Sequence, residues 1–381
     1  MPLPAAAGAG LCPAGGSLRR LDRYGEGGGP WGNHGFTHAR MRIAVCRPQV
    51  PFARGGAEIV ADDLVRELRG RDHEVDLVTV PFKWYPGRRV LTQAFLWRLL
   101  DLEEADGRRI DLVIATKFPS YCVRHPNKVA WVLHQFRQAY ELDRTALGQF
   151  GESPEERATR RAVQRLDRVA LGEARKVFAT SQNVAGRLER STGIAAEVLP
   201  HPPAPLPFHT AESEGFILSV NRLDRAKRID LLLEAVAVEG ELRCVIVGEG
   251  PDRERLERLA REHRLDGRAV FAGRVSDEAL ADLYASCLGV YYAPIDEDFG
   301  MVPYEAFLSE KPVLTTTDAG GPLELVGDRR TGLVVSPRAD ELARAAAWLA
   351  AHPREAAAWG RAGKVLAERV TWDACVDRLL S

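Results

Sequence analysis

Apolar and polar positions show the same pattern in two consecutive parts of this chain, which we call the first and the second block. In each block, apolar runs of about four to six residues alternate with longer stretches in which apolar residues recur at helical spacing. Short apolar strands that are each followed by a helix indicate parallel sheets with both faces covered. The pattern therefore predicts an α/β protein with two doubly wound sheets.

The two blocks contain the same alternation of predicted strands and helices. Predicted strands of the first block cover 41–46, 74–80, 111–116, 129–134, 177–180 and 196–199, with its clearest helices over 57–70 and 155–174. Predicted strands of the second block cover 216–220, 243–247, 269–271, 289–292, 313–316 and 332–335, and three helical stretches follow from about residue 338. Ligands of such sheets bind beyond the carboxyl ends of the strands, so the residues after each strand are the candidates for a site.

A proline-dense segment, residues 201–207, separates the two blocks. Such a run neither continues a helix nor joins a central strand, which is typical of a semi-rigid linker. Because 381 residues exceed what one hydrophobic core usually supports, we expect two Rossmann-like domains, 41–205 and 206–366, facing each other across a cleft. Residues 367–381 are expected to form a C-terminal helix that packs back on the first domain.

Residues 1–40 differ from the rest of the chain. They are rich in Gly, Ala and Pro, show no sustained periodicity and lack the apolar core of a secretory signal. We expect this segment to be disordered, or to be an extension from a wrongly assigned upstream start, and the fold predictions begin at residue 41.

Charge and composition narrow the class of protein. The formal net charge is −1, but residues 41–200 hold 26 basic against 21 acidic residues, whereas residues 201–381 hold 22 against 30. A basic first half is compatible with an anionic acceptor or membrane surface, or with two domains that complement each other in charge. No basic stripe suggests nucleic-acid binding, and no apolar run is long enough to span a bilayer. Six scattered cysteines without metal-ligand spacing fit free thiols in a reducing compartment, so a cytoplasmic location is expected.

The most informative feature is a pair of carboxylates eight residues apart, Glu297 and Glu305. The proline between them suits the first turn of a helix, so we expect a helix from about Val302, with Glu305 one turn inside it. Free N–H groups around Gly300 and Met301 would then attract an anion. This layout suits a phosphate with a polyhydroxylated group beside it, as in a sugar nucleotide, although ordinary helix capping and a solvated acidic loop are also compatible.

Two cations and two glycines occupy other predicted strand ends. Arg222 and Lys227 lie in the loop after a predicted strand, where they would converge on one anion such as a diphosphate, unless both are simply solvated. Gly55 and Gly56 precede a predicted helix, where they allow close approach of a phosphate or sugar, or make an ordinary turn. The chain has no G-x-G-x-x-G of the dinucleotide-binding type at these positions, which argues against a dehydrogenase.

His134 closes another predicted strand and would face the same cleft. A histidine there is suited to contact a substrate, and a structural histidine explains the position nearly as well. Lys117, after the neighbouring predicted strand, is a weaker candidate of the same kind. Gly320 and Gly321, after the predicted strand at 313–316, form a further loop that allows close backbone approach.

Aromatic and basic residues mix in one part of the basic half. The sequence Phe-Lys-Trp-Tyr-Pro-Gly-Arg-Arg of residues 82–89 is followed by Phe95, Trp97 and Arg98. This mixture is typical of an interfacial membrane contact, and a cleft-lining helix with core aromatics explains it nearly as well. Two interpretations therefore stay open, a peripheral contact of the first domain with the cytoplasmic membrane face and a cleft-lining helix.

The motifs, taken in order, resemble those of the family 4 glycosyltransferases, which have the GT-B fold. They are 221–227 (Asn-Arg-Leu-Asp-Arg-Ala-Lys), 247–251 (Val-Gly-Glu-Gly-Pro), 271–275 (Phe-Ala-Gly-Arg-Val), 297–306, and 320–324 with 331–334. Each motif alone is moderately specific, whereas five in this order over nearly the whole of 41–381 are highly specific. Asn221 stands where the family usually has glycine, and Tyr292-Ala-Pro-Ile replaces the commoner Pro-Ser, which bears on the identity of the donor.

The resemblance implies transfer of a hexose from a nucleotide diphosphate sugar, of the UDP or GDP type, to a glycan or lipid-linked acceptor with retention at the anomeric carbon. It makes 41–205 the acceptor-side domain and 206–366 the domain that binds the nucleotide sugar. It implies no cofactor beyond this substrate and no essential metal. The acidic triplet 296–298 is accordingly not expected to be a metal-binding D-x-D motif.

The resemblance also assigns a role to each candidate residue. Arg222 and Lys227 would hold the donor diphosphate, and Glu297 would bind the hydroxyls of the sugar. The amides of residues near the start of the predicted helix would lie near sugar and phosphate; these residues are Phe299, Gly300, Met301 and Val302. Glu305 would bind the ribose, and Arg274 and Val275 would lie against the base. Gly55 and Gly56 would line the cleft, and His134 would contact the transferred sugar.

Two alternatives stay open beside a transferase that builds a surface polysaccharide or lipid-linked glycan. One is another GT-B enzyme, such as a sugar-nucleotide epimerase or a phosphorylase. The other is a non-catalytic protein that binds a sugar nucleotide. The presence of both cations and both glutamates favours an active enzyme.

Overall fold

The structure, a computed structural model, describes residues 39–52, 54–143, 145 and 148–381. The predictions for the extension at 1–40 lie outside the described residues except at its last two positions. In the described part, two separate six-stranded sheets carry the strands that the two blocks of apolar runs predict.

The first sheet is built from the first block. Its elements, with a small antiparallel hairpin β3–β4 beside it, are β1 (Arg42–Gln49), α1 (Gly56–Arg69), β2 (Glu74–Pro81), α2 (Arg89–Leu99), β3 (Glu104–Ala105), β4 (Arg108–Arg109), β5 (Leu112–Ala115), β6 (Lys128–Val132), α3 (Pro154–Gly172), β7 (Lys176–Ala179), α4 (Gln182–Thr192) and β8 (Glu197–Val198). The strand order is β2-β1-β5-β6-β7-β8, and all neighbours are parallel.

The second sheet is built from the second block. Its elements are β9 (Phe216–Val220), α5 (Ile229–Val238), β10 (Arg243–Val247), α6 (Arg253–Glu262), β11 (Ala269–Gly273), α7 (Asp277–Ser286), β12 (Gly289–Tyr291), α8 (Val302–Leu308), β13 (Val313–Thr316), β14 (Gly332–Val335), α9 (Ala339–Ala351) and α10 (Pro353–Ala367). The order β11-β10-β9-β12-β13-β14 is again wholly parallel.

The last helix, α11 (Trp372–Leu380), follows the second block but packs on the first sheet. Its apolar face, including Val376 and Leu379, belongs to the same buried cluster as Val45 of β1. The ring of Trp372 meets that of Trp131 on β6 edge to face, with the centroids 6.3 Å apart. The chain therefore returns to its first domain after completing the second.

Both faces of each sheet are covered, which is why the strands have nearly continuous apolar sequences. Successive side chains of a strand point to opposite faces, and β1 shows this directly. Ala44 and Cys46 belong to one buried cluster, whereas Ile43 and Val45 belong to another.

The strand predictions agree closely with the structure. The largest difference is in β1, which extends to Gln49 instead of ending at residue 46, and the earlier start of β6 has a physical cause. β6 runs over Lys128–Val132 instead of the predicted 129–134. Its first residue, Lys128, is fully buried because its ammonium donates to the carbonyls of Tyr121, Val123 and Ala170 at 2.8–2.9 Å. A charged residue gives no apolar signal, so its place at the start of a buried strand could not be read from the hydrophobic pattern.

Candidate functional site

The carboxyl ends of the two sheets meet, and the candidate residues lie in the loops between them. Arg137, after β6, donates to the carbonyl of Asp296, after β12, at 2.7 Å. Ser181, after β7, donates through its hydroxyl to the carbonyl of Asp298. Loops at the carboxyl ends of strands from both sheets thus meet along one interface.

The centre of the site is an ion pair between two predicted residues, Lys227 and Glu297. Their side chains are 20% and 17% exposed, so the pair is accessible from the cleft but largely withdrawn from water. The hydroxyl of Tyr292 lies 3.3 Å from Glu297 Oε2 and 3.5 Å from Lys227 Nζ. The N–H of Asp298 donates to Glu297 Oε1 at 3.2 Å. Both oxygens of Glu297 are thereby oriented.

These contacts determine the charge of Glu297. Burial on its own would raise the pKa of this carboxyl, but the ammonium of Lys227, assisted by the guanidinium of Arg137, lowers it to about 2. Burial would likewise lower the pKa of Lys227, and Glu297 raises it instead. The site therefore holds a fixed carboxylate beside a fixed ammonium at neutral pH.

Arg222, the second predicted cation, differs from Lys227 in having no ion-pair partner among the described residues. It is exposed, and its guanidinium makes no hydrogen bond or ion pair with any residue that the structure describes. It lies in the same loop as Lys227, between β9 and α5. A free guanidinium at a strand end retains all its donors for an anion.

The helix predicted after Glu297 is α8, and it begins at Val302 as expected. Glu305 lies on α8 and is half-buried. Its Oε2 accepts a hydrogen bond from the hydroxyl of Tyr284 on α7 at 2.6 Å. Burial raises the pKa of Glu305, although this hydrogen bond counteracts it. The structure shows no direct contact between Glu305 and Glu297.

Gly55 and Gly56 lie at the start of α1 on the opposite side of the cleft. The N–H of Gly55 donates to Glu58 Oε2 at 2.9 Å, and Glu58 Oε1 accepts from Lys117 at 2.5 Å. A β-carbon on Gly56 would lie 2.9 Å from the methyl group of Met301. The missing side chain at Gly56 thus permits a close approach between the two domains.

His134 lies beside this cluster and is half-buried. Its Nδ1 is 3.0 Å from the carbonyl oxygen of Gln135. Burial, followed by the nearby charge of Lys117, lowers the pKa of His134 to about 4. At neutral pH the imidazole is therefore uncharged, and its role toward a substrate stays a prediction.

The remaining predicted residues flank the central pair. Arg274 is exposed after β11, and Val275 is half-buried against the apolar cluster that contains Tyr284. Phe299 stacks on Tyr304 with centroids 5.0 Å apart and lies 4.6 Å from the ring of His201. Phe299 and Gly300 line a cavity of about 160 Å³ that does not include Lys227 or Glu297. The structure therefore shows Phe299 in the packing between the two domains.

Sequence reasoning missed the partners of the acidic triplet. Asp296 and Asp298 face Arg187 of the first domain, with Arg187 Nη2 at 2.7 Å from Asp296 Oδ1 and Nη1 in contact with Asp298 Oδ1. Arg187 lies on α4, where its spacing resembles that of any polar helical residue. In the described ranges no group of three or more His, Cys, Asp or Glu side chains is arranged to hold a metal ion. The expectation of no essential metal stays a prediction.

None of the helices in the described part of the chain has both the length and the apolar character that crossing a bilayer requires.

Two family descriptions match this chain. "Glycosyltransferase Family 4" matches residues 54–202, and "Glycosyl transferases group 1" matches residues 207–365. The boundary between the two matches falls in the proline-dense segment that separates the two sheets.

Known proteins align with part of the chain. Alpha-1,3/1,6-mannosyltransferase ALG2 of Dictyostelium discoideum is 31% identical over 156 residues, which are 35% of this chain and 37% of that protein. The GDP-mannose-dependent alpha-mannosyltransferase of Mycobacterium tuberculosis is 39% identical over 116 residues, 30% of this chain and 29% of that protein. The aligned part thus spans less than half of the length of these relatives.

A solved structure matches over a greater length. Sucrose-phosphate synthase from Thermosynechococcus elongatus superposes with a TM-score of 0.73 at 20% identity, covering 89% of this chain and 97% of that one. A likeness at this identity concerns the fold alone, and the predicted GT-B class with two parallel sheets is confirmed. Because the two family matches follow each other in order and together span about four-fifths of the chain, this protein belongs to the family 4, group 1 glycosyltransferases.

Proposed function

We propose that this glycosyltransferase moves a hexose from a nucleoside diphosphate sugar to a glycan or lipid-linked acceptor, with retention of the anomeric configuration. The observation that carries the proposal is the Lys227–Glu297 pair in the loop region that also holds the unpaired Arg222. A carboxylate suits the hydroxyls of a sugar, and two neighbouring cations suit a diphosphate.

Departure of the nucleoside diphosphate leaves negative charge on its phosphate and positive charge on the sugar ring. Arg222 and Lys227 would stabilise the first charge, because both cations are in place before the reaction begins. Glu297 is held as a carboxylate and would accept hydrogen bonds from the sugar hydroxyls. Tyr292 fixes the direction of that carboxylate through its hydroxyl.

The proton of the acceptor hydroxyl also needs a destination. Glu58 is occupied by Lys117 and by the N–H of Gly55, so it is poorly suited to be the base. We propose that the leaving phosphate oxygen takes this proton while the acceptor oxygen attacks from the same face of the sugar. The C–O bond to the phosphate then breaks as the new C–O bond forms on that face, which retains the configuration.

The first donor to test is GDP-mannose. The relative from Mycobacterium tuberculosis carries that donor in its name, and the Dictyostelium discoideum relative is named a mannosyltransferase. Arg274 and Val275, after β11, would lie against the base, and Glu305 on α8 would hold the ribose. UDP sugars are the second class of donor to test.

A lipid-linked acceptor fits a further observation on the first domain. Exposed apolar side chains on α2 and in the loop before it are Tyr85 (55%), Phe95 (59%), Leu96 (41%) and Leu99 (64%). Basic residues 88 and 89 lie beside them. We propose that this surface touches the cytoplasmic face of a membrane. Trp97 and Arg98 do not take part, because Trp97 is buried and Arg98 is paired with Glu173 at 2.5 Å.

A cytoplasmic location is part of the same proposal. The described cysteines are free and buried. Burial raises the pKa of several of these thiols, for example that of Cys244 to about 12, which makes them unreactive.

The test is a transfer assay on the full chain with GDP-mannose and UDP-glucose, with and without a lipid-phosphate or simple sugar acceptor. We expect one donor to give a glycosylated product whose anomeric configuration, read in NMR from the one-bond coupling constant between C1 and its proton, equals that of the donor. An inverted product would contradict retention. Conversion of the free donor to an epimer without acceptor would favour the epimerase instead, and binding without turnover would favour a non-catalytic protein.

A further inference from the structure

We propose that Arg137 and Arg187 of the first domain are positioning residues for Glu297, so that sugar transfer depends on a clasp between the two domains. This inference rests on the proposed function of Glu297. The clasp consists of these two arginines with Asn183 on one side, and of the loop 296–298 on the other.

Arg187 makes the most buried contacts of the clasp. Its side chain is 8% exposed, and its two terminal nitrogens reach different residues of the loop. Nη1 pairs with Asp298 Oδ1, while Nη2 donates to the carbonyl of Asp296 at 2.5 Å and lies 2.7 Å from its Oδ1. A planar fork with several donors is suited to this geometry, whereas a lysine ammonium is not.

Arg137 and Asn183 contact the same three residues from other directions. Arg137 Nη2 donates to the carbonyl of Asp296 at 2.7 Å, and its Nη1 lies 3.8 Å from Asp298 Oδ2. Asn183 Nδ2 donates to the carbonyl of Glu297 itself at 2.8 Å. The residues before and after Glu297, and its own carbonyl, are therefore all held by the first domain.

The backbone of the loop needs this support. Asp296 has a φ of +44°, a left-handed conformation that a residue with a β-carbon rarely adopts. Strained residues of this kind persist where their surroundings over-determine them. Here the surroundings are the carbonyl contacts from Arg137 and Arg187 and the two contacts of the Asp296 carboxylate.

A second contact reinforces the clasp. Glu324 of the second domain accepts hydrogen bonds from the N–H groups of Gln182 and Asn183, at 2.8 and 2.7 Å. A carboxylate at the first turn of α4 is favourable because free N–H groups point toward it. It fixes the end of the same helix that carries Arg187. The sequence motif 320–324 thus has a structural use in holding the domains together.

Donor binding and positioning of the sugar should depend on different residues. Arg222 and Lys227 belong to the second domain, and in the described residues neither side chain makes a hydrogen bond or ion pair with the first domain. Loss of the clasp should therefore leave the diphosphate contacts in place while Glu297 is held less well. A misplacement of about 1 Å at a reacting centre lowers the rate by up to about 100-fold.

The experiment compares Arg187→Ala with Arg98→Ala in the full chain. Arg98 is a matched control, because it is also paired with a carboxylate and only 13% exposed, but both partners lie in the first domain. We expect Arg187→Ala to lower kcat by about 10- to 100-fold, with the donor KM and the nucleoside diphosphate Kd within about threefold of wild type. Arg98→Ala should change neither. Arg187→Lys keeps the charge without the fork and should give an intermediate kcat.

Three results would overturn the clasp: an unchanged kcat in Arg187→Ala, an equal loss in Arg98→Ala, or a fall in nucleoside diphosphate affinity as large as the fall in kcat. Failure of the proposed function would look different, because the wild-type protein itself would then bind no nucleoside diphosphate. In that case the contact is tested by a double-mutant cycle of Arg187→Ala and Asp298→Asn, in which urea unfolding measures the free energy of unfolding of each variant. Additive effects on the free energy of unfolding would refute the clasp, and a coupling between them would support it.

Discussion

Glu297 is charged because of what surrounds it. A carboxyl group as buried as this one would prefer to be neutral, and Lys227 reverses that preference. Tyr292 then orients the carboxylate, and the N–H of Asp298 orients its other oxygen. A fixed anion of this kind costs no reorganisation when a substrate binds, which is the main advantage of a preorganised site.

Glu297→Gln keeps the shape of the side chain but removes its charge. We expect kcat for sugar transfer to fall by about 100-fold, while the affinity for nucleoside diphosphate stays the same or rises because Lys227 is released to bind phosphate. Steady-state kinetics and titration calorimetry measure the two effects separately. Glu310→Gln is the control, since Glu310 also pairs with a lysine of the second domain, Lys364 at 3.0 Å, and it should have no effect on either.

Individual residues could be predicted from the sequence where a strand end marked them. Lys227 and Glu297 were predicted in this way, and the structure shows that they form an ion pair. Glu305 was predicted instead from its place one turn inside a helix. Tyr292 and Tyr284 were missed as site residues because a buried aromatic at the end of a strand or on a helix has the pattern of ordinary core. Only the folded chain shows that their hydroxyls reach the two glutamates.

At the scale of elements, the loop 296–298 is supported by a neighbouring loop of its own domain. The N–H groups of Asp296 and Glu297 donate to the carbonyls of Asp318 and Ala319, at 2.9 and 2.8 Å, and the N–H of Gly321 donates back to Glu297 at 2.8 Å. The glycine pair in this loop was predicted to allow close backbone approach. The approach that the structure shows is to the loop 296–298.

Gly321→Ala tests this packing. A β-carbon on Gly321 would lie 2.5 Å from the carbonyl oxygen of Asp298, and a backbone atom cannot move aside as a flexible side chain can. We expect the substitution to displace the loop and to lower kcat/KM by about tenfold or more. Gly327→Ala is the control, because its nearest neighbour would be a side-chain atom at 3.5 Å, an ordinary contact. Equal activity of the two variants in the transfer assay would contradict this account of the loop.

The elements themselves followed from the hydrophobic pattern. Strands β9, β10, β13 and β14 have the predicted bounds, because their apolar runs are bordered by polar or turn residues. The hairpin of β3 and β4 was not predicted, since two-residue strands made of Glu, Ala and Arg carry no period. Short polar strands depend on their neighbours rather than on their own sequence.

At the scale of the whole molecule, the two domains are joined by buried aromatic and charged contacts. His201, in the proline-dense segment, is 4% exposed and lies between Trp131 of the first sheet and Phe299 of the second domain. Burial lowers the pKa of His201 from 6.5 to about 4. The neutral imidazole is thus the form that fits this junction.

This lowered pKa predicts a pH dependence. The unfolded chain takes up a proton at His201 below about pH 6.5 and the folded chain only near pH 4, so this residue's stabilisation is complete above pH 6.5 and is lost between these values. In His201→Gln that loss is absent. The difference in free energy of unfolding between wild type and variant should therefore shrink as the pH falls from 6.5 to 4, by up to about 1.4 kcal/mol per pH unit. Urea unfolding at several pH values measures it, and a constant difference would contradict the prediction.

Contacts between the domains could not be predicted from the sequence. Arg187 and Asp298 are 111 positions apart and belong to different sheets. No period or motif links an arginine on a helix of one domain to an aspartate in a loop of the other. The hydrophobic pattern determines each domain, and the relation between them depends on which strand-end loops meet once both have folded.

The most direct test of the central claim, that Arg222 and Lys227 form a diphosphate site beside Glu297, is a calorimetric titration of the full chain with GDP, UDP, ADP and dTDP. We expect one of these nucleotides to bind the wild-type protein, and Arg222→Ala to weaken that binding by about tenfold or more, since it removes a charge-assisted contact. Absence of binding by all four, or equal binding by Arg222→Ala, would contradict the account.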